Sequence, residues 1–127
     1  MRPVRIVIAD DAELVRRAVS QVIATCWPNI EVVGAAQDYS ELFRVVTESR
    51  PDIVLADLNM PCEVDAEQIR TSLAPCCLIV MSAWFDEAAN AKARECGASE
   101  LLDKSTLAET LGPAINRCLN RSKAAAR

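Results

Sequence analysis

The chain contains no histidine. That single absence removes Cys/His zinc sites, histidine general bases and Ser-His-Asp triads. No apolar run approaches the ~20 residues that a membrane-spanning helix needs. The opening Met1-Arg2-Pro3-Val4-Arg5 runs directly into a strand-like segment and has no small-residue cleavage site, so no signal peptide is read there. The six cysteines, Cys26, Cys62, Cys76, Cys77, Cys96 and Cys118, include no C-x-x-C pair. A disulfide framework belongs to smaller, loop-rich secreted domains, so these residues are expected to be reduced thiols packed in the core of a cytoplasmic protein. Repeats and low-complexity segments are also lacking.

What is present is one domain's length, 127 residues, with 51% hydrophobic and 25% charged side chains. Such a composition fills a core. The net charge of −4 argues against direct nucleic-acid binding by this segment.

The chain is organised around Ile53-Val54-Leu55-Ala56-Asp57-Leu58-Asn59-Met60-Pro61. A short continuous apolar run reads as a strand buried on both faces, the mark of a parallel sheet. Pro61 has no N–H to donate and restricts Met60, so Asp57 is held at a strand mouth. Similar runs occupy residues 4–9, 30–36, 76–81 and 100–103. Between them, apolar residues recur at helical spacing. Leu14, Val15, Ala18, Val19, Val22 and Ile23 form one stripe, and Leu42, Phe43, Val45 and Val46 another. Residues 65–73 allow one short helix, and residues 86–96 an alanine-rich one stopped by Gly97. A last helix carries Leu107, Leu111, Ile115, Cys118 and Leu119 on one face, capped by Ser105 or Thr106. Gly112-Pro113 inside it predicts a kink or the true helix start. Residues 121–127 read as a frayed tail or the beginning of a linker after a domain spanning 1–120. Five strands alternating with five helices imply right-handed crossovers and an α/β doubly wound parallel sheet.

The polar residues that end these strands then fall on one edge: Asp10 and Asp11, Asp57, Ser82 and Lys104. Ligands bind at that edge of open α/β sheets. Three carboxylates in a small space repel one another unless a cation lies among them. Oxygen donors without histidine or cysteine favour a hard ion, and Mg²⁺ is commonly held by one or two carboxylates with phosphate oxygens. Lys104 suits a phosphate or a carboxylate, and Ser82 can donate to an incoming oxygen. The set matches phosphoryl transfer with a carboxylate nucleophile. Each residue alone would be an ordinary strand-end or capping side chain; five of them at the ends of four strands form a site.

With Asp10-Asp11, Asp57 through Pro61, Met81-Ser82-Ala83, and Gly97-Ala98 leading to Leu102-Asp103-Lys104, the chain resembles the CheY-like receiver domain of bacterial two-component response regulators. The resemblance implies a flavodoxin-like five-stranded sheet of order 2-1-3-4-5. It also implies that Asp57 accepts a phosphoryl group from a histidine kinase. Asp11, Asp57 and the Asn59 backbone carbonyl would hold Mg²⁺, with Asp10 acting through water. Ser82 and Lys104 would each bind a phosphoryl oxygen, and Trp84 would shield the acyl phosphate from water. Phosphorylation would switch the face built from the fourth helix, fifth strand and fifth helix, with a homodimer through that face as one outcome. Such a module is a signalling domain and not an enzyme.

Two departures stand out. Leu101 occupies a position that is usually aromatic and takes part with the Ser82 position in switching. The 25 residues from Asp57 to Ser82 are fewer than usual, which predicts a truncated third helix. Ser105 after the lysine, together with Val32-Val33-Gly34-Ala35-Ala36, resembles the subfamily that carries a C-terminal helix-turn-helix DNA-binding domain, and so implies transcription regulation. The competing readings are a non-phosphorylated interaction domain that keeps the fold, and a haloacid-dehalogenase-like phosphatase. The latter places its nucleophile on the first strand as D-x-D, whereas here that strand ends in adjacent aspartates.

Overall fold

The computed structural model describes residues 2–61 and 63–125, with side chains to Arg121. Five strands, β1 (Val4–Ala9), β2 (Ile30–Ala36), β3 (Ile53–Asp57), β4 (Cys77–Ser82) and β5 (Glu100–Asp103), alternate with α1 (Glu13–Cys26), α2 (Tyr39–Ser49), α3 (Ala66–Ser72), α4 (Glu87–Glu95) and α5 (Leu107–Ala125). The strands pair in parallel in the order β2-β1-β3-β4-β5. This is the flavodoxin-like architecture expected from the sequence.

Strand parity sorts the core into two layers. Val7, Ala9, Val54, Ala56, Leu78 and Val80 face α2, α3 and α4, where they meet Leu42, Val46, Ile69, Ala89 and Ala93. The alternate residues Ile6, Ile8, Ile53, Leu55, Ile79 and Met81 face α1 and α5, packing on Val19, Ile23, Leu111, Ala114 and Ile115. Each large apolar side chain buried in these layers contributes about 1.5–3 kcal/mol. β3 lies between β1 and β4 and is buried at all five positions, which is why its first four residues, Ile53 to Ala56, are all apolar.

Local chemistry sets the element ends. Asp38, Asp65 and Asp86 cap α2, α3 and α4 by accepting from backbone N–H groups, and Asp65 forms a reciprocal capping box with Gln68. α3 is the expected short helix, seven residues long. Gly97 follows α4 with a φ of 79°, a left-handed position suited to glycine. Gly34 sits just after a register shift between β1 and β2, and a Cβ there would lie 2.6 Å from Val45 Cγ1 of α2. A glycine is therefore required for β2 and α2 to approach this closely.

Four expectations change. Leu14, expected in the buried stripe of α1, is 80% exposed; it lies in the first turn of that helix, and the buried positions are Val19 and Ile23 further along. The turn before α5 is capped by Asp103, which accepts from Ser105, and not by Ser105 or Thr106. Pro113 lies inside α5, so Gly112-Pro113 does not start that helix. Gly112 instead admits the Trp27 ring, whose Cζ2 would stand 2.8 Å from an added Cβ. The helix continues through Ala125; residues 126 and 127 lie outside the described residues.

The fourth correction concerns cysteine. Cys77 and Cys118 form a disulfide, with Cα atoms 6.1 Å apart. Cys77 shares the face of Ile79 and Met81, and Cys118 continues the inward stripe of Leu111 and Ile115, so the two side chains meet as α5 folds back on β4. Cys26 is exposed, contrary to the expectation of core packing, while Cys96 is buried as expected. The expectation for Cys62 lies outside the described residues.

Candidate functional site

The parallel sheet delivers the carboxyl ends of β1, β3, β4 and β5 to one edge, and the sequence-predicted residues meet there. Asp10 follows β1 and has a fully buried side chain; Asp57 ends β3 with 8% of its side chain exposed. Asp11 is exposed. Oxygen atoms of Asp10, Asp11 and Asp57 all lie within 4.8 Å of one another.

Lys104, just after β5, joins the group. Its Nζ donates to Asp57 Oδ2 at 3.0 Å and stands 2.6 Å from Asp10 Oδ2. The second contact is an ion pair whose direction is poor for a hydrogen bond, because Asp10 Oδ2 is buried without a hydrogen bond of good geometry. Burial pushes the Lys104 pKa down, but the Asp10 and Asp57 carboxylates outweigh it and hold the ammonium above its ordinary value of 10.5. The remaining carboxylate oxygens are fixed by backbone: Ala12 N–H donates to Asp10 Oδ1 at 2.8 Å, and Asn59 N–H to Asp57 Oδ1 at 2.9 Å.

These residues fit a divalent cation. Three carboxylates face one ammonium, so the pocket keeps an excess of negative charge. A buried carboxylate oxygen lacks a well-directed donor, and every donor atom is a hard oxygen.

Ser82 ends β4 and is fully buried. Its Oγ accepts from Asn59 Nδ2 and from Trp84 N–H, each at 3.0 Å. The side chain of Asn59 thus engages Ser82, a role that sequence reasoning did not assign. Leu101 is half-buried and packs against the α2–α3–α4 layer. Trp84 is 72% exposed. Two supporting contacts were also missed. The hydroxyl of Tyr39, a buried residue at the start of α2, donates to the Asp57 carbonyl at 3.1 Å. Arg16 Nη1 donates to the Asp10 carbonyl at 2.6 Å. The signal for Tyr39 was present in the sequence, since a tyrosine buried in an apolar stripe needs a partner for its hydroxyl.

Residues 6–116 match the response regulator receiver domain. The chain belongs to that family. Among curated relatives, it is 34% identical over 113 residues to protein-glutamate methylesterase/protein-glutamine glutaminase 2 of Anaeromyxobacter dehalogenans, covering 87% of this chain and 33% of that protein. It is 33% identical over 115 residues to the transcriptional regulatory protein LnrK of Bacillus subtilis, covering 88% and 52%. The chain therefore spans between a third and a half of these relatives. Among solved structures, a LuxR-family two-component response regulator from Aurantimonas sp. SI85-9A1 superposes with a TM-score of 0.82 at 30% identity, covering 93% of this chain and 86% of that one. The receiver domain of Thermotoga maritima CheB gives a TM-score of 0.82 at 25% identity, covering 94% and 98%. Both a protein-glutamate methylesterase and a transcriptional regulatory protein thus match this chain over part of their length. Among the described residues, no helix is long and apolar enough to cross a membrane.

Proposed function

We propose that this receiver domain is a working phosphoacceptor, with Asp57 as the phosphorylated residue and a histidine kinase as the donor. The observation that carries this reading is Lys104 bridging Asp10 and Asp57 beside Asp11 at the mouth of the central strand. An Asp57 carboxylate oxygen attacks the phosphorus of a donor phosphohistidine. The P–N bond breaks, and its electron pair stays on the imidazole nitrogen, which takes up a proton. Lys104, already between the two carboxylates, moves part of its charge onto a phosphoryl oxygen. Asp10, Asp11, Asp57 and the Asn59 carbonyl are the residues that would hold Mg²⁺, which when bound supplies charge neutralisation for the incoming phosphate. The backbone N–H groups of Ala12 and Asn59 keep both carboxylates oriented, so little reorganisation accompanies transfer.

Switching begins at Ser82. Its oxygen accepts two hydrogen bonds, from Asn59 and Trp84. A hydroxyl drawn to a phosphoryl oxygen loosens at least one of them, and the Trp84 bond ties it to the chain entering α4. Leu101 has no ring to swing, so the signal runs through the β4–α4 connection toward the α4–β5–α5 face, where a homodimer would form. Only contacts that differ between the two states can drive such a shift. We place the domain in the cytoplasm as residues 1–120 of a response regulator, with 121–127 as a tail or the beginning of a linker. Of the two output classes among its relatives, we favour transcription regulation through a helix-turn-helix domain, on Ser105 and the β2 sequence. The receiver itself neither binds nucleic acid nor performs the output chemistry.

The test is incubation with a small acyl phosphate donor and Mg²⁺, read by intact mass. One phosphoryl group adds to the wild type and none to Asp57→Asn. Absence of the adduct, or an adduct unaffected by that substitution, returns the chain to an unphosphorylated interaction domain. Steady hydrolysis of a phosphate ester would favour the phosphatase reading.

A further inference from the structure

The Cys77–Cys118 bridge lies at the end of the sheet opposite the acidic pocket. Cys77 is the first residue of β4, the strand whose last residue is Ser82. Cys118, on the inward face of α5, is fully buried, whereas Cys77 is half-buried. A cleft of about 390 Å³ opens beside the bridge, lined by both cysteines together with Cys76, Asp52, Ser99 and Arg121. The Ser99 hydroxyl lies 3.4 Å from Cys77 Sγ. Purely structural bridges resist reduction, and cytosolic disulfides, where they occur, are usually transient or redox-sensing. Both cysteines line this cleft, and Cys77 is the more exposed of the two.

We propose that Cys77 and Cys118 form a reversible redox site, opened and closed through this cleft by exchange with a small peptide thiol of the glutathione class, and that its state sets how firmly α5 is held to the sheet. An entering thiolate attacks Sγ of Cys77, the more exposed residue. The S–S bond breaks, and Cys118 leaves with the electron pair and takes up a proton. A second thiolate attacks the small-thiol sulfur of the mixed disulfide; Cys77 leaves as a thiolate, steadied by the Ser99 hydroxyl, and is protonated. The sum is one protein disulfide and two small thiols giving two protein thiols and one small disulfide. Oxidation by the small disulfide is the reverse.

Two neighbours favour this pairing. Arg121 lines the cleft and, while paired with Glu100, has further guanidinium N–H groups to offer the carboxylate of a peptide thiol. Cys76 is a poor competitor, because burial and then the Asp52 charge push its thiol above the ordinary value of 9.0 and disfavour the attacking thiolate. Without the bridge, α5 keeps its packing against Ile79 and Met81 and the Glu100 pairs of Arg117 and Arg121, but loses its covalent tie to β4.

The experiment equilibrates the whole chain in buffers of graded reduced-to-oxidised glutathione ratio, quenches with acid, alkylates with a maleimide, and assigns the thiols by peptide mass. Cys77 and Cys118 are expected to appear as thiols together in one step, in the wild type and in Cys76→Ser alike. Cys118→Ser replaces that step with a glutathione adduct on Cys77. Hydrogen exchange on the same samples is expected to run at least about tenfold faster across residues 113–121 in the reduced form. A bridge that persists at every ratio until the chain unfolds, one that never forms, or a step lost in Cys76→Ser overturns the site. Equal exchange of α5 in both forms overturns the hold on that helix.

Discussion

Lys104→Met removes the ammonium while keeping most of the side chain's length. Asp10 has no side-chain exposure and Asp57 has 8%, and the ion pairs that reach them among the described residues come from Lys104. Without it, two buried carboxylates stand within 4.8 Å of each other, with Asp11 at similar range. At an effective dielectric of 20 the buried pair alone repels by about 3.5 kcal/mol. That agrees with the ~3–5 kcal/mol lost when one partner of a buried ion pair is removed. Release of Lys104 from its own desolvation offsets a part, leaving a net loss of about 3 kcal/mol. In urea, where ΔG falls by about 1–3 kcal/mol per molar, the unfolding midpoint should drop by about 1–3 M. The assay is urea unfolding by circular dichroism at neutral pH in chelator. Two controls separate charge from packing. Asp57→Asn in the Lys104→Met background should recover most of the loss, since it removes the repulsion. Added Mg²⁺ should raise the midpoint more in Lys104→Met than in the wild type. A midpoint within about 0.3 M of wild type in chelator would refute the reasoning, and so would a loss that Asp57→Asn leaves untouched.

Tyr39→Phe deletes the hydroxyl that donates to the Asp57 carbonyl and should cost about 1 kcal/mol in the same assay, with phosphorylation by a small donor slowed but retained. Gly112→Ala gains up to ~1 kcal/mol of helix propensity, yet its Cβ meets the Trp27 ring at 2.8 Å; overpacking of about 1–3 kcal/mol wins, and both stability and Trp27 fluorescence should change. Glu100 accepts from Arg117 and Arg121, and the Arg117 hydrogen bond chiefly holds its pKa below the ordinary 4.5. Its folded pKa is the lower one, so its contribution is present above about pH 4.5 and fades as pH falls through the folded value. Glu100→Gln should therefore be less stable than wild type at neutral pH, with the gap closing in acid.

Much of the fold was legible because two periods do not compete in this chain. The stripe Leu42, Phe43, Val45 and Val46 falls within α2, Tyr39–Ser49, whose ends are set by an aspartate cap and a left-handed Arg50 before Pro51. The convergence of Asp10, Asp11, Asp57, Ser82 and Lys104 followed from topology alone: in a parallel sheet, residues that end strands share an edge whatever their spacing in sequence. Leu14 was misplaced because periodicity gives the angular order of side chains around a helix. It does not say which turns of that helix are buried. The hydrogen bond from Asn59 to Ser82 was not legible, since it depends on rotamers set by tertiary packing; for Tyr39 the sequence signals the need for a partner but does not name the Asp57 carbonyl.

The cysteine pair is the instructive failure, because the geometric signal was present and a compartment rule overrode it. Cys77, Ile79 and Met81 alternate on one strand face, and Leu111, Ile115 and Cys118 recur on one helix face. Once α5 is assigned to the layer over that strand face, the two sulfurs approach each other from parity alone. Closing the 41-residue separation constrains the unfolded chain by about 4 kcal/mol in the entropic description. That is comparable to the loss worked out for Lys104→Met at the opposite end of the sheet. Ser82 and Cys77 are the two ends of the same six-residue strand. β4 therefore carries at one end the hydroxyl proposed to meet the phosphate and at the other the covalent tie to α5. A rigid strand fixed at both ends transmits a displacement only if one end yields. Opening the bridge should then enlarge the response of α5 to phosphorylation, read as the difference in α5 hydrogen exchange between phosphorylated and unphosphorylated chains. A difference of equal size in oxidised and reduced protein would separate the two ends of β4 and leave the bridge as a staple alone.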